Sequence, residues 1–204
     1  MLLARLLGPL ALILGFAAPV AAAQIDLTAT LNAKPGKPFT GTFGGLPFSI
    51  DSLTLVGKVD TLNVITIGDV HFAAMDSAIL TTVLPLFGAV SVAVLDTLTA
   101  TFDDGSDIFS LSKGGAPFAI ATPSASFAWD LKSNLPLTDV DYVVGGVFTL
   151  NTTVGVLAFN LGPDGDGSGT GAIAALVAPV PLPAAAPMLL VAVGLMGLGR
   201  LRRA

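Results

Sequence analysis

The chain of 204 residues contains no cysteine, no glutamate and a single histidine, His71. Without cysteine there is no disulfide framework, so an exported form of this chain would depend on core burial alone. The lack of Cys and Glu beside one His also excludes the usual zinc sites. No G-x-S-x-G sequence supplies a nucleophilic serine for His71, which we predict to be a solvent-facing strand residue. These absences disfavour a hydrolase, and we expect no catalysis and no cofactor.

Aromatic residues other than phenylalanine are almost missing. Trp129 and Tyr142 are the only residues of their types, beside 12 phenylalanines. Proteins that bind carbohydrate usually present exposed Trp or Tyr rings, whereas phenylalanine is mostly a core residue. We therefore expect Trp129 to be a core anchor and not a sugar platform.

The N-terminus has the pattern of a secretory signal peptide over residues 1–23. Arg5 is the only charge before Asp26, and the stretch from 6 to 20 is almost entirely apolar. Ala21 and Ala23 are the small residues that a signal peptidase reads, which makes Gln24 the predicted new N-terminus. The pattern predicts export of the chain.

The C-terminus, residues 179–204, has three parts in a fixed order. An uncharged apolar run over 184–199 reaches roughly 24 Å as a helix, slightly less than a hydrocarbon core of about 30 Å. The basic tail Arg200, Arg202 and Arg203 is expected to stay cytoplasmic, with the body of the protein outside. Prolines before the run favour extended backbone. By physics alone this segment is either a permanent single-span anchor or a processed one. The motif at its start is Val180, Pro181, Leu182, Pro183 and Ala184.

Motif, apolar helix and basic tail together resemble the VPLPA variant of the PEP-CTERM sorting signal, over the last 25 residues only. In the common version a glutamate stands where this chain has Leu182. The resemblance implies cleavage near Pro183 and Ala184 by an exosortase, a membrane-embedded cysteine transpeptidase of Gram-negative bacteria. It also implies an inner-membrane intermediate with the body in the periplasm, and a final place at the cell surface or in an extracellular matrix. Exosortase and signal peptidase would be processing partners, and exopolysaccharide a further one.

The body between these ends, residues 24–178, is acidic and rich in β-formers. Five lysines against 14 aspartates give it a net charge of −9, which disfavours nucleic acid and leaves calcium and neutral glycans open as ligands. Val, Ile, Leu, Phe and Thr dominate, and alternation over 25–31, 91–102, 124–129 and 142–150 predicts half-buried antiparallel strands. We predict an all-β, jelly-roll-like β-sandwich, flanked by an N-terminal signal helix and a C-terminal transmembrane helix.

Matching segments in the body also predict an internal duplication of about 70 residues, with units near 26–95 and 96–166. The clearest match pairs Gly44-Gly45-Leu46-Pro47-Phe48 with Gly114-Gly115-Ala116-Pro117-Phe118, and 27–31 similarly matches 98–102. Each Gly-Gly-x-Pro-Phe predicts a turn that feeds a strand and buries a ring. A 70-residue unit without disulfides is marginal alone, so we expect one fused core.

Two aspartate-rich loops are candidates for calcium. Asp164, Asp166 and Ser168 occupy the first, third and fifth places of a loop that resembles the start of an EF-hand. The closing glutamate and flanking helices are missing, so a plain turn is the stronger interpretation. The second loop, 103–107, is a weaker candidate.

Overall fold

The computed structural model describes residues 23–84, 88–144, 147–160 and 168–178. These residues form β-strands and one short 3₁₀ helix, Thr61–Asn63, and no α-helix lies among them. The strands are β1 (Gln24–Ala33), β2 (Phe39–Phe43), β3 (Leu46–Ile50), β4 (Ser52–Asp60), β5 (Ile65–Ile67), β6 (Val70–Leu84), β7 (Gly88–Val94), β8 (Leu98–Asp103), β9 (Ile108–Lys113), β10 (Ala116–Pro123), β11 (Leu135–Val144), β12 (Val147–Thr152), β13 (Gly155–Asn160) and β14 (Ser168–Val177). All pairings between them are antiparallel. The predicted all-β class and antiparallel pairing are confirmed.

The strands belong to one sheet, part of which closes into a ring. The order around the ring is β6, β4, β1, β14, β11, β10, β9 and β8, and β8 pairs back with β6. A second series of strands leaves β6 in the order β7, β12, β13, β2 and β3. Because the described strands form one continuous sheet, the predicted arrangement of two separate sheets in a sandwich is wrong in this respect.

Strand β6 is the branch point because one of its edges is divided between two partners. Residues 70–74 pair with β8, whereas residues 78–84 pair with β7. The register with β4 shifts between Lys58 and Val59, and Asp76 and Ser77 are both exposed. This β-bulge bends the 15-residue strand and changes which residues face the core, so that one strand serves both parts of the sheet.

Alternating apolar residues build the core, as the sequence predicts. In β1, Ile25, Leu27 and Ala29 are at most 2% exposed, and their neighbours along the strand face outward. The buried apolar side chains of the described residues form one connected cluster. A fully buried aliphatic side chain contributes about 1.5–3 kcal/mol, so this cluster is the main source of stability in a chain that lacks disulfides.

Two aromatic groups lie at opposite ends of the ring. We call the end that holds Gln24 and Val177 the proximal end and the other the distal end. At the distal end Phe48, Phe159, Phe148 and Phe118 form a chain of rings with centroids 5.5, 4.7 and 4.9 Å apart. At the proximal end Phe127 and Trp129 pack against Phe102, at 5.1 and 5.9 Å.

The two Gly-Gly pairs of the proposed duplication form matching hairpin turns. Gly44 and Gly45 have φ of 57° and 85°, and Gly114 and Gly115 have φ of 59° and 81°. Two successive residues with positive φ are the signature of a tight turn whose twist suits a hairpin, and glycine adopts it without strain. The hairpins are β2–β3 and β9–β10. Their phenylalanines stand at the two ends of the distal aromatic chain. The duplication itself stays a prediction.

Three predicted strands differ from the observed ones. The stretch 142–150 is divided between β11, which ends at Val144, and β12, which begins at Val147. The stretch 91–102 is interrupted at residues 95–97, where β7 ends and β8 has not begun. Residues 124–129 form no strand, and the backbone N–H groups of Phe127 and Trp129 are bound by aspartate side chains described below.

The predicted signal helix and transmembrane helix concern residues outside those the structure describes, apart from Ala23. Within the described residues, no helix has the length and apolar character needed to cross a membrane.

Candidate functional site

The predicted signal-cleavage site lies where the chain enters the sheet, at the proximal end. Ala23 accepts a hydrogen bond at its carbonyl oxygen from the backbone N–H of Thr61, at 3.0 Å. Gln24 begins β1 and accepts at 2.7 Å from the backbone N–H of Ala178. Ile25, next in the chain, is buried between β4 and β14. The bond between Ala23 and Gln24 is therefore part of the folded sheet. Ala21 lies outside the described residues.

The two ends of the body leave the sheet side by side. Ile25 is paired with Val177 across β1 and β14. The backbone N–H of Val177 also donates to the Asn134 side-chain oxygen at 2.6 Å, which fixes the end of β14. The sorting motif Val180–Ala184 and the basic residues Arg200, Arg202 and Arg203 lie outside the described residues, as does the cut predicted between Pro183 and Ala184.

The calcium candidate is only partly within the described residues. Asp164 and Asp166 lie outside them, and Ser168 begins β14 at the distal end. The Ser168 hydroxyl accepts a hydrogen bond from the Lys34 ammonium. A bound calcium ion would have to displace this cation from the serine oxygen. Among the residues that the structure describes, no three His, Cys, Asp or Glu side chains are grouped to hold a metal.

The weaker candidate, loop 103–107, forms the turn between β8 and β9 at the proximal end. Asp103 accepts from the Ser106 hydroxyl at 2.6 Å and from the Gly105 backbone N–H at 2.9 Å. The hydrogen bond from Ser106, with help from the backbone of the turn, holds the pKa of Asp103 below its ordinary value. The Asp103 carboxylate is thus engaged within its own turn.

Two other aspartates of this turn bind the connection between β10 and β11. Asp104 accepts from the backbone N–H of Trp129 at 3.0 Å, and Asp107 accepts from that of Phe127 at 3.3 Å. These bonds hold both aromatic rings over the proximal end of the core. The N–H groups of Phe127 and Trp129 are therefore satisfied by carboxylates and not by a neighbouring strand, although the sequence 124–129 alternates.

His71 is buried, with 9% of its surface exposed, so the prediction of a solvent-facing residue is wrong. Its Nδ1 lies 3.0 Å from the Thr66 hydroxyl and its Nε2 lies 3.3 Å from Asp104. The register of β6 explains the burial, because His71 lies two residues before buried Ala73 on the same face. The contacts from Thr66 to His71 and from His71 to Asp104 join the β5–β6 hairpin to the β8–β9 turn. The Asp104 carboxylate also accepts the hydrogen bond from the backbone N–H of Trp129. We assign His71 a structural role.

The two rings that could have served as sugar platforms are both buried. Trp129 is 3% exposed, and its indole N–H donates to the Ser133 carbonyl at 2.9 Å. Tyr142 is 1% exposed, and its hydroxyl donates to the Asn32 carbonyl at 2.7 Å. Burial raises the pKa of Tyr142 far above its ordinary value. Trp129 is a core anchor, as predicted.

One polar cluster was not predicted from the sequence. Lys113 lies 2.8 Å from Asp96 and donates to the Thr149 carbonyl at 2.7 Å. Asn151 donates to Asp96 from its backbone at 2.6 Å and from its side chain at 2.8 Å. Burial alone would raise the pKa of Asp96, but the bonds from Lys113 and Asn151 outweigh burial and lower it. The cluster ties β12 to the ring. Its members are up to 55 residues apart, so no local pattern points to it.

Two voids among the described residues are too small for a ligand. The larger of two internal voids is about 20 Å³, close to the volume of one water molecule, and its lining is entirely apolar. The smaller is about 10 Å³.

No protein-family model, curated protein or solved structure matches this chain.

Proposed function

We propose that this chain is an exported surface or extracellular-matrix protein and the substrate of an exosortase that cuts near Pro183 and Ala184. The observation that carries the proposal is the C-terminal order of features: the Val180–Ala184 motif, an uncharged apolar run and a basic tail. Signal peptidase removes the N-terminal segment, and the body is held at the inner membrane with the motif on the periplasmic side. The chain itself performs no catalysis.

The geometry of the proximal end supports this proposal. The last described sheet contact of the chain is the hydrogen bond from Ala178, five residues before Pro183. Pro179, Pro181 and Pro183 have no N–H, so the motif is poorly suited to extend the sheet. Prolines favour extended backbone, which proteases bind, so the sequence of the motif suits cleavage.

The described body supports a non-catalytic role. Its voids are apolar and no larger than a water molecule, and its aromatic rings are mostly buried. The imidazole of His71 is held between Thr66 and Asp104. The acidic turn at 103–107 is occupied by its own chain. These features suit a stable structural module whose outer face contacts matrix material such as exopolysaccharide.

The intact mass of the mature protein from native cells tests the proposal. We expect a mass that lacks residues 1–23 and everything after Pro183, with any surplus reporting the group added by the transpeptidase. Pro183→Ala in the motif should leave the tail attached, whereas Pro187→Ala, outside the motif, should be processed normally. A wild-type mass that retains residues 184–204 would refute sorting and leave a single-span anchored envelope protein.

A calcium- or glycan-binding module is the alternative. It predicts that calcium raises the melting temperature of the purified body and that Asp166→Asn abolishes the rise. The contact of Lys34 with Ser168 weighs against this alternative.

A further inference from the structure

The β5–β6 hairpin carries an apolar patch on its outer surface. Ile65 and Ile67 are 61% and 67% exposed, and they lie opposite Phe72 and Val70 in the pairing of β5 with β6. Thr66 between them lies on the same face as His71, with which it pairs, so both isoleucines lie on the opposite, outer face. We call these four residues, Ile65, Ile67, Val70 and Phe72, the β5 patch.

No contact within the described residues accounts for the β5 patch. Apolar residues scattered singly over a surface need no explanation, but a contiguous group on an edge strand does. Leu62, in the 3₁₀ helix just before β5, is 63% exposed and extends the apolar character along the chain. Val70 and Phe72 are only half-buried. Nothing among the described residues covers the two isoleucines.

The patch lies at the proximal end, beside both ends of the body. Thr61, directly before Leu62, donates its N–H to Ala23, and Ala178 donates to Gln24 on the neighbouring strand. Strands in a sheet are about 4.8 Å apart, so β4 and β14, which flank β1, are roughly 10 Å apart. The patch is therefore close to the point where the chain leaves the sheet.

The length of the connection limits how far the patch can be from the membrane. Five residues separate Ala178 from Ala184, where the predicted span begins. At no more than about 3.6 Å per residue, this connection reaches roughly 20 Å at most. While the chain is anchored, the proximal end is held next to the bilayer, and the tether gives the patch a high effective concentration at the lipid surface.

We propose that the β5 patch rests on the lipid surface of the membrane while the chain is anchored, an inference that depends on the proposed function above. The lipid is zwitterionic, because Asp60, Asp69 and Asp103 stand around the patch and would be repelled by anionic headgroups. Contact with lipid orients the body with its proximal end toward the membrane and its distal end away from it. Release of the tail by cleavage removes the tether and with it the contact.

The test uses the chain from Gln24 to Ala204, reconstituted into phosphatidylcholine vesicles. Because the chain has no cysteine, single cysteines can be labelled with an environment-sensitive fluorophore without other changes. Ile67→Cys reports on the patch. Val83→Cys is the matched control, since Val83 is 63% exposed on the distal part of β6, the strand with which β5 pairs. We expect the label at 67 to shift to shorter wavelength and to lose intensity when the lipid carries a nitroxide, and the label at 83 to do neither.

Three outcomes would overturn the proposal, and they are distinguishable. Equal quenching at 67 and 83 would mean that the patch does not prefer lipid. A blue shift at 67 without quenching would mean that protein covers the patch, either a second copy or residues 179–183. Failure of the chain to float with the vesicles would overturn the anchor, and with it both this proposal and the proposed function.

Discussion

Replacing Phe159 with leucine tests whether the distal and proximal parts of the body unfold together. Phe159 is 1% exposed and stacks on Phe148 at 4.7 Å and against Phe48 at 5.5 Å. Each aromatic pair contributes about 0.5–1.5 kcal/mol beyond burial, so the loss of two pairs should cost about 1–3 kcal/mol. With a urea slope of about 2 kcal/mol per molar, the unfolding midpoint should fall by roughly 0.5–1.5 M.

The assay compares two signals on residues 24–178. Circular dichroism follows the whole sheet, whereas fluorescence follows Trp129, the only tryptophan, at the opposite end from Phe159. If the body has one core, both signals should move together and by the same amount. A tryptophan transition that stays at the wild-type midpoint would refute the reasoning and indicate two independent units. Val156→Thr, exposed on the same strand, is the control and should change stability by less than about 0.5 kcal/mol.

Three further predictions follow from the described contacts. Asp96→Asn should cost about 1–3 kcal/mol at pH 7. Folding lowers the pKa of Asp96, so its contribution to stability is present above the pKa of the unfolded chain and is lost as the pH falls through the pKa of the folded chain. A difference in free energy of unfolding between wild type and variant that is unchanged at pH 3 in urea unfolding would contradict this. Gly169→Ala should lower the free energy of unfolding by about 1–3 kcal/mol or more, because the added Cβ would lie 2.2 Å from a β1 carbonyl oxygen and 2.5 Å from the Tyr142 hydroxyl oxygen. An unchanged midpoint of thermal unfolding would count against that packing. Signal peptidase should cut Ala23–Gln24 in the urea-unfolded precursor but not in the folded one, as measured by intact mass, and equal rates would exclude protection by the sheet.

Sequence periodicity was sufficient to predict a strand where the side chains of that strand alternate between core and solvent. The strand around Leu27 and the Gly-Gly turns at 44–45 and 114–115 were predictable because alternation and positive φ are local properties. The closure of the sheet was not predictable from the sequence, because it depends on a one-residue bulge at Asp76 that leaves no clear mark in the composition.

The side-chain networks were the least predictable part. His71 and Asp104 are 33 residues apart, and Asp96 and Asn151 are 55 apart, so only the folded chain brings them together. Residues 124–129 alternate like a strand, yet Asp104 and Asp107 bind their backbone. Carboxylates that replace a neighbouring strand cannot be recognised from alternation alone.

The pairing of Ile25 with Val177 determines when in folding the first and last strands of the body can come together. It joins the first strand of the body to the last, about 150 residues later in the chain. Contacts between such distant residues form slowly, and in the proposed export route they cannot form until the whole body has crossed the membrane. On that route β1 would lack its final partner during export, and the apolar surface that it later buries would need protection from aggregation. The same delay would leave the proposed cleavage site, the Ala23–Gln24 bond, open to signal peptidase until the ring closes.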